Sequence, residues 1–243
     1  MRALLSFIST AWSAPGFDPA PLTEQLAEVA ALRALRITEH APPIPPGAWQ
    51  QAASGEIVTG VAVVEGHKAR AGWGVAVLPV EIGVLWSGLS DVGSHRSLSG
   101  LSHVEIVHGA PCTDLRRVMM VMPLPIVSDR WWVVESRSNT ALADQTDGHV
   151  RELIWTGVTD PLSESISAEG RAHIEGAVAV TFNHGAWLLI GLDKEHTMVE
   201  YFSWSDPGGE LPAGPASAFT AAAIADTIAA MGQYAAGGQS SCP

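Results

Sequence analysis

The 243-residue chain is predicted to fold as an α+β domain in which a curved antiparallel sheet holds one long C-terminal helix. The end of the chain carries the clearest pattern. Tyr201–Pro212 is typical of a strand followed by a Gly/Pro-rich turn, and the Ala-rich run Pro215–Ala236 is typical of a helix. Upstream, strand-like segments of six to ten residues are joined by short turns, which favours antiparallel neighbours.

The first 46 residues are predicted to be an extension in front of the domain. Residues Met1–Ala14 resemble a short secretory signal, and the alternative is an apolar segment that packs on the domain. The protein is periplasmic or secreted in the first case and cytoplasmic in the second. Apolar spacing predicts a helix over Asp18–His40, and Ala41–Pro46 is a Pro-rich linker, so the domain is expected to begin near Gly47.

Strands follow the linker in a regular series. Glu56–Val64 and Ala69–Leu78 are predicted to form a hairpin, with Gly66 and His67 at its turn, and Pro79–Asp91 has a short helical period. Seven more strands are predicted over Leu101–His108, Leu115–Met122, Trp131–Arg137, Val150–Val158, Ala177–Phe182, Ala186–Leu192 and Thr197–Trp204. The polar segment Asp160–Gly176 is predicted to be a loop, and Asn183–Gly185 a turn.

The final helix is predicted to face the sheet. Ile224, Ile228 and Met231 recur at i, i+4 and i+7, which places them on one apolar stripe. The domain is therefore expected to span 47–237, with a disordered tail over 238–243.

Composition excludes several classes of function. The formal net charge is −12 and the only lysines are Lys68 and Lys194, so no large basic surface for nucleic acid or for anionic membrane is available. No apolar run reaches the roughly 18 residues that a bilayer span requires. We expect a monomer with at most transient membrane contact.

A disulfide between Cys112 and Cys242 is possible but not expected, because Cys242 lies in the predicted tail.

The sequence carries no recognisable catalytic motif, so the protein is expected not to be an enzyme and to hold no metal and no cofactor. His103-Val-Glu105 followed by Pro111-Cys112 echoes the zinc deaminase pattern, but position 115 is leucine. No nucleophile elbow, zincin helix or P-loop occurs in the sequence. Glu135 and Arg137 lie two apart on one strand face, which favours a structural salt bridge.

Three segments resemble the START lipid-transfer domains and their wider helix-grip (SRPBCC) group, which includes polyketide cyclases. These are Asp206–Gly209 with Leu211–Pro212 before a long helix, Leu124–Val134 with its Ser-Asp-Arg-aromatic start of a strand, and Gly74–Trp86 followed by Asp91 and His95. The resemblance covers about Gly47 to Ala236. START proteins often carry an acidic or aromatic residue after the arginine, and Trp131-Trp132 stands there in this chain.

The resemblance implies a hydrophobic tunnel between the sheet and the C-terminal helix that binds a lipid, a sterol or a polyketide-like molecule. We expect inward-facing walls from two alternating sets of strand residues, with a polar head oriented by Arg117, although ordinary core and ion-pair roles remain open for these residues. The predicted cavity residues are Arg117, Met119, Val121, Trp132, Val134, Ser136, Phe219, Ile224 and Ile228, and the gating loop that the resemblance implies comprises Asp206, Pro207, Gly208, Gly209 and Pro212.

The sequence therefore predicts a non-catalytic carrier or sensor of a hydrophobic small molecule. Two alternatives remain open. One is a cyclase/aromatase- or hydrolase-type enzyme on the same fold, using polar groups such as Arg117, Glu135 or His184. The other is an interaction module whose N-terminal helix docks a partner protein.

Overall fold

The computed structural model describes residues 22–63, 70–98, 100–124, 127–206, 208 and 213–243. Its helices are α1 (Leu22–Leu32), α2 (Pro46–Ala53), α3 (Ile82–Ser90), α4 (Val92–Leu98), α5 (Thr140–Gln145), α6 (Ala168–Ile174) and α7 (Ala213–Ala236), with 3₁₀ turns at Arg33–Leu35 and Pro161–Ser163. Its strands are β1 (Val58–Val63), β2 (Arg70–Leu78), β3 (His103–His108), β4 (Leu115–Met122), β5 (Arg130–Ser138), β6 (Val150–Gly157), β7 (Val178–Ala179), β8 (Asn183–Gly191) and β9 (Thr197–Ser205).

The strands form one curved open sheet. Eight of them follow the order β1-β2-β9-β8-β6-β5-β4-β3 with antiparallel neighbours, and the short β7 pairs in parallel with β5. The predicted α+β class, with a bent antiparallel sheet and a long C-terminal helix, is confirmed.

The two faces of the sheet have different coverings. The inner face, defined here as the face that α7 contacts, carries Ala76, Leu153, Leu189 and Val199 in one core with the apolar side of α7 and with α3. The outer face carries further cores. In one of them Leu22 of α1 packs with strand residues and Leu142 of α5, and in another alanines of α2 pack with strand residues. Leu22 of the N-terminal helix thus packs on the protein's own sheet, and the use of this helix as a docking element for a partner stays a prediction.

Helix α7 packs closely against β2 because β2 has a glycine at the crossing. A Cβ atom at Gly74 would lie 2.6 Å from Ile224 Cγ2 and 2.8 Å from Ile228 Cδ1, well inside van der Waals contact. Ile224, Ile228 and Met231 are almost completely buried. The predicted inward stripe of the final helix is confirmed.

Several local predictions were wrong. The helix predicted over Asp18–His40 ends earlier, since Arg36 leaves the 3₁₀ turn in an extended conformation. The predicted loop Asp160–Gly176 contains α6, whose N-cap Ser167 accepts a hydrogen bond from Gly170 N. The predicted turn Asn183–Gly185 is the start of β8, and α2, α4 and α5 were not predicted. These helices have six to eight residues, too short for a clear apolar period.

The segment after α1 is fastened to the outer face by ion pairs. Arg36 Nε donates to Glu152 Oε1 at 2.8 Å and Arg36 Nη1 donates to Glu200 Oε2 at 3.1 Å. Arg33 also binds Glu200, and Ile37 N donates to Glu152 Oε2 at 2.8 Å. Both carboxylates are buried, so the arginines supply the countercharges that these groups require.

The C-terminal tail is also attached to the domain, which corrects two predictions. Cys112, before β4, and Cys242 form a disulfide with a Cα–Cα distance of 5.5 Å. Asp91 Oδ2 accepts hydrogen bonds from Ser241 N and Tyr234 Oη, both at 2.8 Å. The tail, predicted to be disordered, is thus held on the domain by covalent and hydrogen bonds. The disulfide, which was not expected, is present.

Some predictions fall outside the described residues or stay untested. The signal-like segment Met1–Ala14 and the hairpin turn at Gly66 and His67 lie outside them. The domain boundaries stay predictions. Among the described residues, none of the helices combines the length and the hydropathy of a transmembrane span.

Candidate functional site

The candidate site is the inner face of β3–β6, called here the inner wall. Helix α7 packs on the same face of the sheet, but mainly against β1, β2 and β9, away from these strands. Strand pairing aligns the inner-wall side chains across the strands: Ile106 with Val118 and Val134, Val104 with Met120 and Trp132, and Ser136 with Trp155. Val104, Ile106, Met120 and Trp132 are half-buried. This surface is a mostly apolar wall, and apolar walls with a few polar groups are typical of small-molecule sites.

Aromatic residues continue the inner wall toward β9. The Trp155 and Tyr201 ring centroids lie 5.7 Å apart, and those of Trp187 and Tyr201 lie 4.2 Å apart. Trp155 Nε1 donates to Asn183 Oδ1 at 3.0 Å, which fixes the indole. Burial raises the pKa of Tyr201 to about 12, against a smaller opposing effect of a hydrogen bond with Ser203, so this hydroxyl stays protonated.

Half of the predicted cavity wall lies on the wrong face. Met119 pairs with Val133 and Val121 with Trp131, whereas Trp132, Val134 and Ser136 pair with the other β4 residues. Directly paired antiparallel residues share a face, so the two predicted sets cannot both point inward. Trp132, Val134 and Ser136 do face inward, and Met119 and Val121 belong to an outer-face core.

Arg117 lies on the outer face and is ion-paired. Its Nε donates to Glu135 Oε2 at 3.0 Å and its Nη1 to Glu164 Oε1 at 2.6 Å, and these two hydrogen bonds raise the pKa of Arg117. Arg137 Nη2 lies 3.2 Å from Glu135 Oε1, which confirms the predicted structural salt bridge. Partial burial alone would raise the pKa of Glu135, but the bonds from Arg117 and Arg137 outweigh it and lower that pKa.

A buried charged group of the inner wall is Arg116, the neighbour of the predicted Arg117. Arg116 is 2% exposed and pairs in register with Ser136. Its Nη1 donates to Thr113 O at 2.7 Å and its Nη2 to Leu89 O at 3.4 Å, while Nε has no hydrogen-bond partner among the described residues. A buried guanidinium with an unused donor can bind an acceptor group of a ligand.

A neutral histidine lies beside this arginine. Burial, helped by repulsion from Arg116, lowers the pKa of His95 to about 4, against the opposing effect of Asp91. Burial also lowers the pKa of Arg116, although Asp114 and Asp91 oppose this. The sequence did hold a signal for an inward-facing arginine, namely the doublet Arg116–Arg117. Successive strand residues point to opposite faces, so one member of such a pair must face inward.

The predicted α7 and loop residues are placed only in part. Ile224 and Ile228 lie on the inner side but fill a packed core with β2, β8 and β9. The side chain of Phe219, and Pro207, Gly209 and Pro212 of the gating loop, lie outside the described residues. Gly208 N donates to Asp206 Oδ1 at 3.0 Å and Arg130 Nη2 donates to Gly208 O at 3.2 Å, so β5 holds this part of the loop.

A cavity of about 620 Å³ lies on the outer face under residues 37–40. Its lining includes Glu135 and His184, two of the residues named for the enzyme alternative. Glu135 is neutralised by two arginines, and the third named residue, Arg117, is one of them. The structure therefore separates these groups from the inner wall.

Comparisons with known proteins agree with this architecture. No protein-family model and no curated protein matches the sequence. Among solved structures, the STAR-related lipid transfer protein from Xanthomonas axonopodis is similar with a TM-score of 0.60 and 20% identity, over 74% of this chain and 93% of that one. Human STARD10 has a TM-score of 0.60 and 12% identity, over 86% and 79% of the two chains.

A third structure covers more of the chain. Human StAR-related lipid transfer protein 5 is similar with a TM-score of 0.59 and 15% identity, over 90% of this chain and 96% of that one. Identities at this level establish the fold and leave the ligand open. The sheet order, the gripped C-terminal helix and these neighbours together show that the chain has the START-type helix-grip fold.

Proposed function

We propose that the protein binds a hydrophobic small molecule, such as a lipid, a sterol or a polyketide-like compound, against the inner wall. The observation that supports this most directly is the combination of half-buried apolar side chains with one unused donor, Arg116 Nε. Met120, Val104 and Trp132 would contact the apolar body, and methionine adapts well to varied shapes. Arg116 would bind a carboxylate, phosphate, hydroxyl or carbonyl oxygen of the ligand.

This proposal also gives the orientation of the bound molecule along the inner wall. Arg116 lies at the end of the inner wall closed by α3 and by the loop before β4, since its two bonded partners are Leu89 O and Thr113 O. The gating loop before α7 contacts β5 at its opposite end, through Arg130 at the start of the strand. A bound ligand would therefore have its polar group next to Arg116 and its apolar part toward the gating loop.

The test is native mass spectrometry of the purified protein, with organic extraction of any co-purifying molecule. We expect a stoichiometric apolar compound, or binding from a panel of lipids and fluorescent sterols. Trp132→Ala should weaken binding, whereas Leu115→Ala, an exposed apolar position on the outer face of β4, should not. A protein that is empty and ignores the whole panel would contradict the proposal.

Carriage or sensing is proposed in preference to catalysis, and one observation supports the enzymatic alternative. His95 is neutral near neutral pH and lies near Arg116, an arrangement that could serve a cyclase- or hydrolase-type reaction. Carriage and catalysis are distinguished by incubating the protein with the compound that it binds and then extracting and analysing that compound. An unchanged mass and chromatographic position of the compound agree with carriage, and conversion that is lost in His95→Asn would indicate an enzyme.

A further inference from the structure

We propose that His103, Glu169 and His173 form a binding site for a zinc ion between β3 and α6. The three side chains lie on the outer side of the sheet, because His103 pairs with the outward-facing Val121. The site is therefore separate from the inner wall, and this proposal does not depend on lipid binding. Sequence reasoning missed it because its residues come from two distant elements, and only α6 brings them together.

The donor atoms are already close to one another. One ligand atom from each of the three residues lies within 4.8 Å of the other two. His103 Nδ1 lies 3.9 Å from Glu169 Oε1, and the His103 and His173 ring centroids lie 4.6 Å apart. Zinc bonds of about 2.0–2.2 Å place tetrahedral donors roughly 3.3 Å apart, so shifts of about 1–1.5 Å would complete the site. Glu169 can make such a shift, because its side chain is 73% exposed.

A second observation is that His103 is buried with one ring nitrogen lacking a hydrogen bond among the described residues. Its side chain is 4% exposed, yet Nδ1 has no hydrogen-bond partner among the described residues. A buried nitrogen lone pair without a partner is costly, and a metal ion would satisfy it. The carboxylate of Glu169, another member of the cluster, lies 3.9 Å from this atom.

The residues behind His103 orient it as metal sites require. His103 Nε2 lies 3.3 Å from Glu105 Oε2, and a proton on Nε2 that is donated to this carboxylate leaves Nδ1 as the free ligand atom. Glu105 is in turn fixed by Ser167, whose backbone N donates to Oε1 at 3.0 Å and whose hydroxyl donates to Oε2.

The same contacts set the position of α6. Ser167 caps α6, and a Cβ at Gly170 would lie 2.6 Å from Glu105 Oε1, so a glycine lets the helix approach this carboxylate. Glu169 and His173 are four residues apart, which places both on the side of α6 toward His103. Two imidazoles and one carboxylate make a zinc ligand set that leaves a fourth position for water or a small acidic ligand. The bound ion would join α6 to β3.

The test is calorimetric titration of chelator-treated, tag-free protein with zinc chloride. We expect one ion per chain, and we expect His173→Ala and Glu169→Gln each to weaken zinc binding by more than about tenfold. Both changes are on the surface helix and leave the buried His103 intact, so we expect both variants to fold. His108→Ala, an exposed histidine at the end of β3, and Glu175→Gln, an exposed carboxylate after α6, are the matched controls.

Coordination is checked separately by the visible spectrum of the cobalt-substituted protein. The strong d–d bands of four-coordinate cobalt should appear in the wild type and in both controls, and should be absent from both ligand variants. No stoichiometric zinc binding, or binding that the two ligand variants retain in full, would overturn the proposal. The cluster would then be a stacked histidine pair beside two carboxylates.

Discussion

Arg36 Nε lies 2.8 Å from Glu152 Oε1, and the glutamate side chain is fully buried on the outer face of the sheet. Removing the arginine leaves a buried carboxylate that has lost its countercharge. Arg36→Ala is therefore expected to lower the free energy of unfolding by about 3–5 kcal/mol. Chemical denaturation followed by tryptophan fluorescence measures this difference.

The matched control for this change is Arg96→Ala, which removes an exposed arginine. Its effect should stay within about 0.5 kcal/mol. If both variants lose the same stability, the ion pair does not hold the N-terminal segment on the domain.

Gly74 sets the distance between β2 and α7. In Gly74→Ala the added Cβ meets Ile224 and Ile228 at 2.6 and 2.8 Å, so the helix must shift and stability should fall by about 1–3 kcal/mol. Gly47→Ala is the control, because nothing lies within 4 Å of a Cβ added there and the residue is in α2. That change should stabilise by about 0.5–1 kcal/mol. Thermal unfolding of the two variants should therefore shift in opposite directions.

The Cys112–Cys242 disulfide closes a loop of the chain with a sequence separation of 130 residues. Loss of a cross-link over a loop of this size is expected to cost up to roughly 4–5 kcal/mol. Cys112→Ser should lower the denaturation midpoint, and reductant should lower that of the wild type without affecting the variant. Thiol titration of the unreduced protein should find no free cysteine. A full thiol count would contradict this bond, which is typical of proteins in oxidising compartments.

His95 should make stability depend on pH in a defined window. Its pKa is about 4 in the folded protein against an ordinary 6.5, so between these values the unfolded chain binds more protons. Stability should therefore fall as the pH is lowered from 6.5 toward 4, by up to about 1.4 kcal/mol for each pH unit. His95→Asn should flatten this part of the profile, and exposed His108→Asn should not. Equal profiles for all three proteins would show that His95 is not the titrating group.

Prediction from the sequence succeeded where the apolar residues of a single strand or helix repeat with a clear period. The strands β4 and β9 and the stripe Ile224, Ile228 and Met231 follow from alternation and from helical spacing. It failed where pairing between distant elements decides the outcome. Arg116 and Arg117 are equivalent in an isolated strand, and only the pairing of β4 with β5 shows which of them faces inward.

The sequence by itself determined the class of the fold, the order of its main elements and the absence of a large basic surface, because these depend on local periodicity, turn residues and composition. Tertiary structure decided which face each side chain occupies, that Cys242 reaches Cys112, and that His103 meets Glu169 and His173. The physical reason is that strand register and helix docking are set by contacts between residues far apart in the chain. No local pattern encodes these contacts.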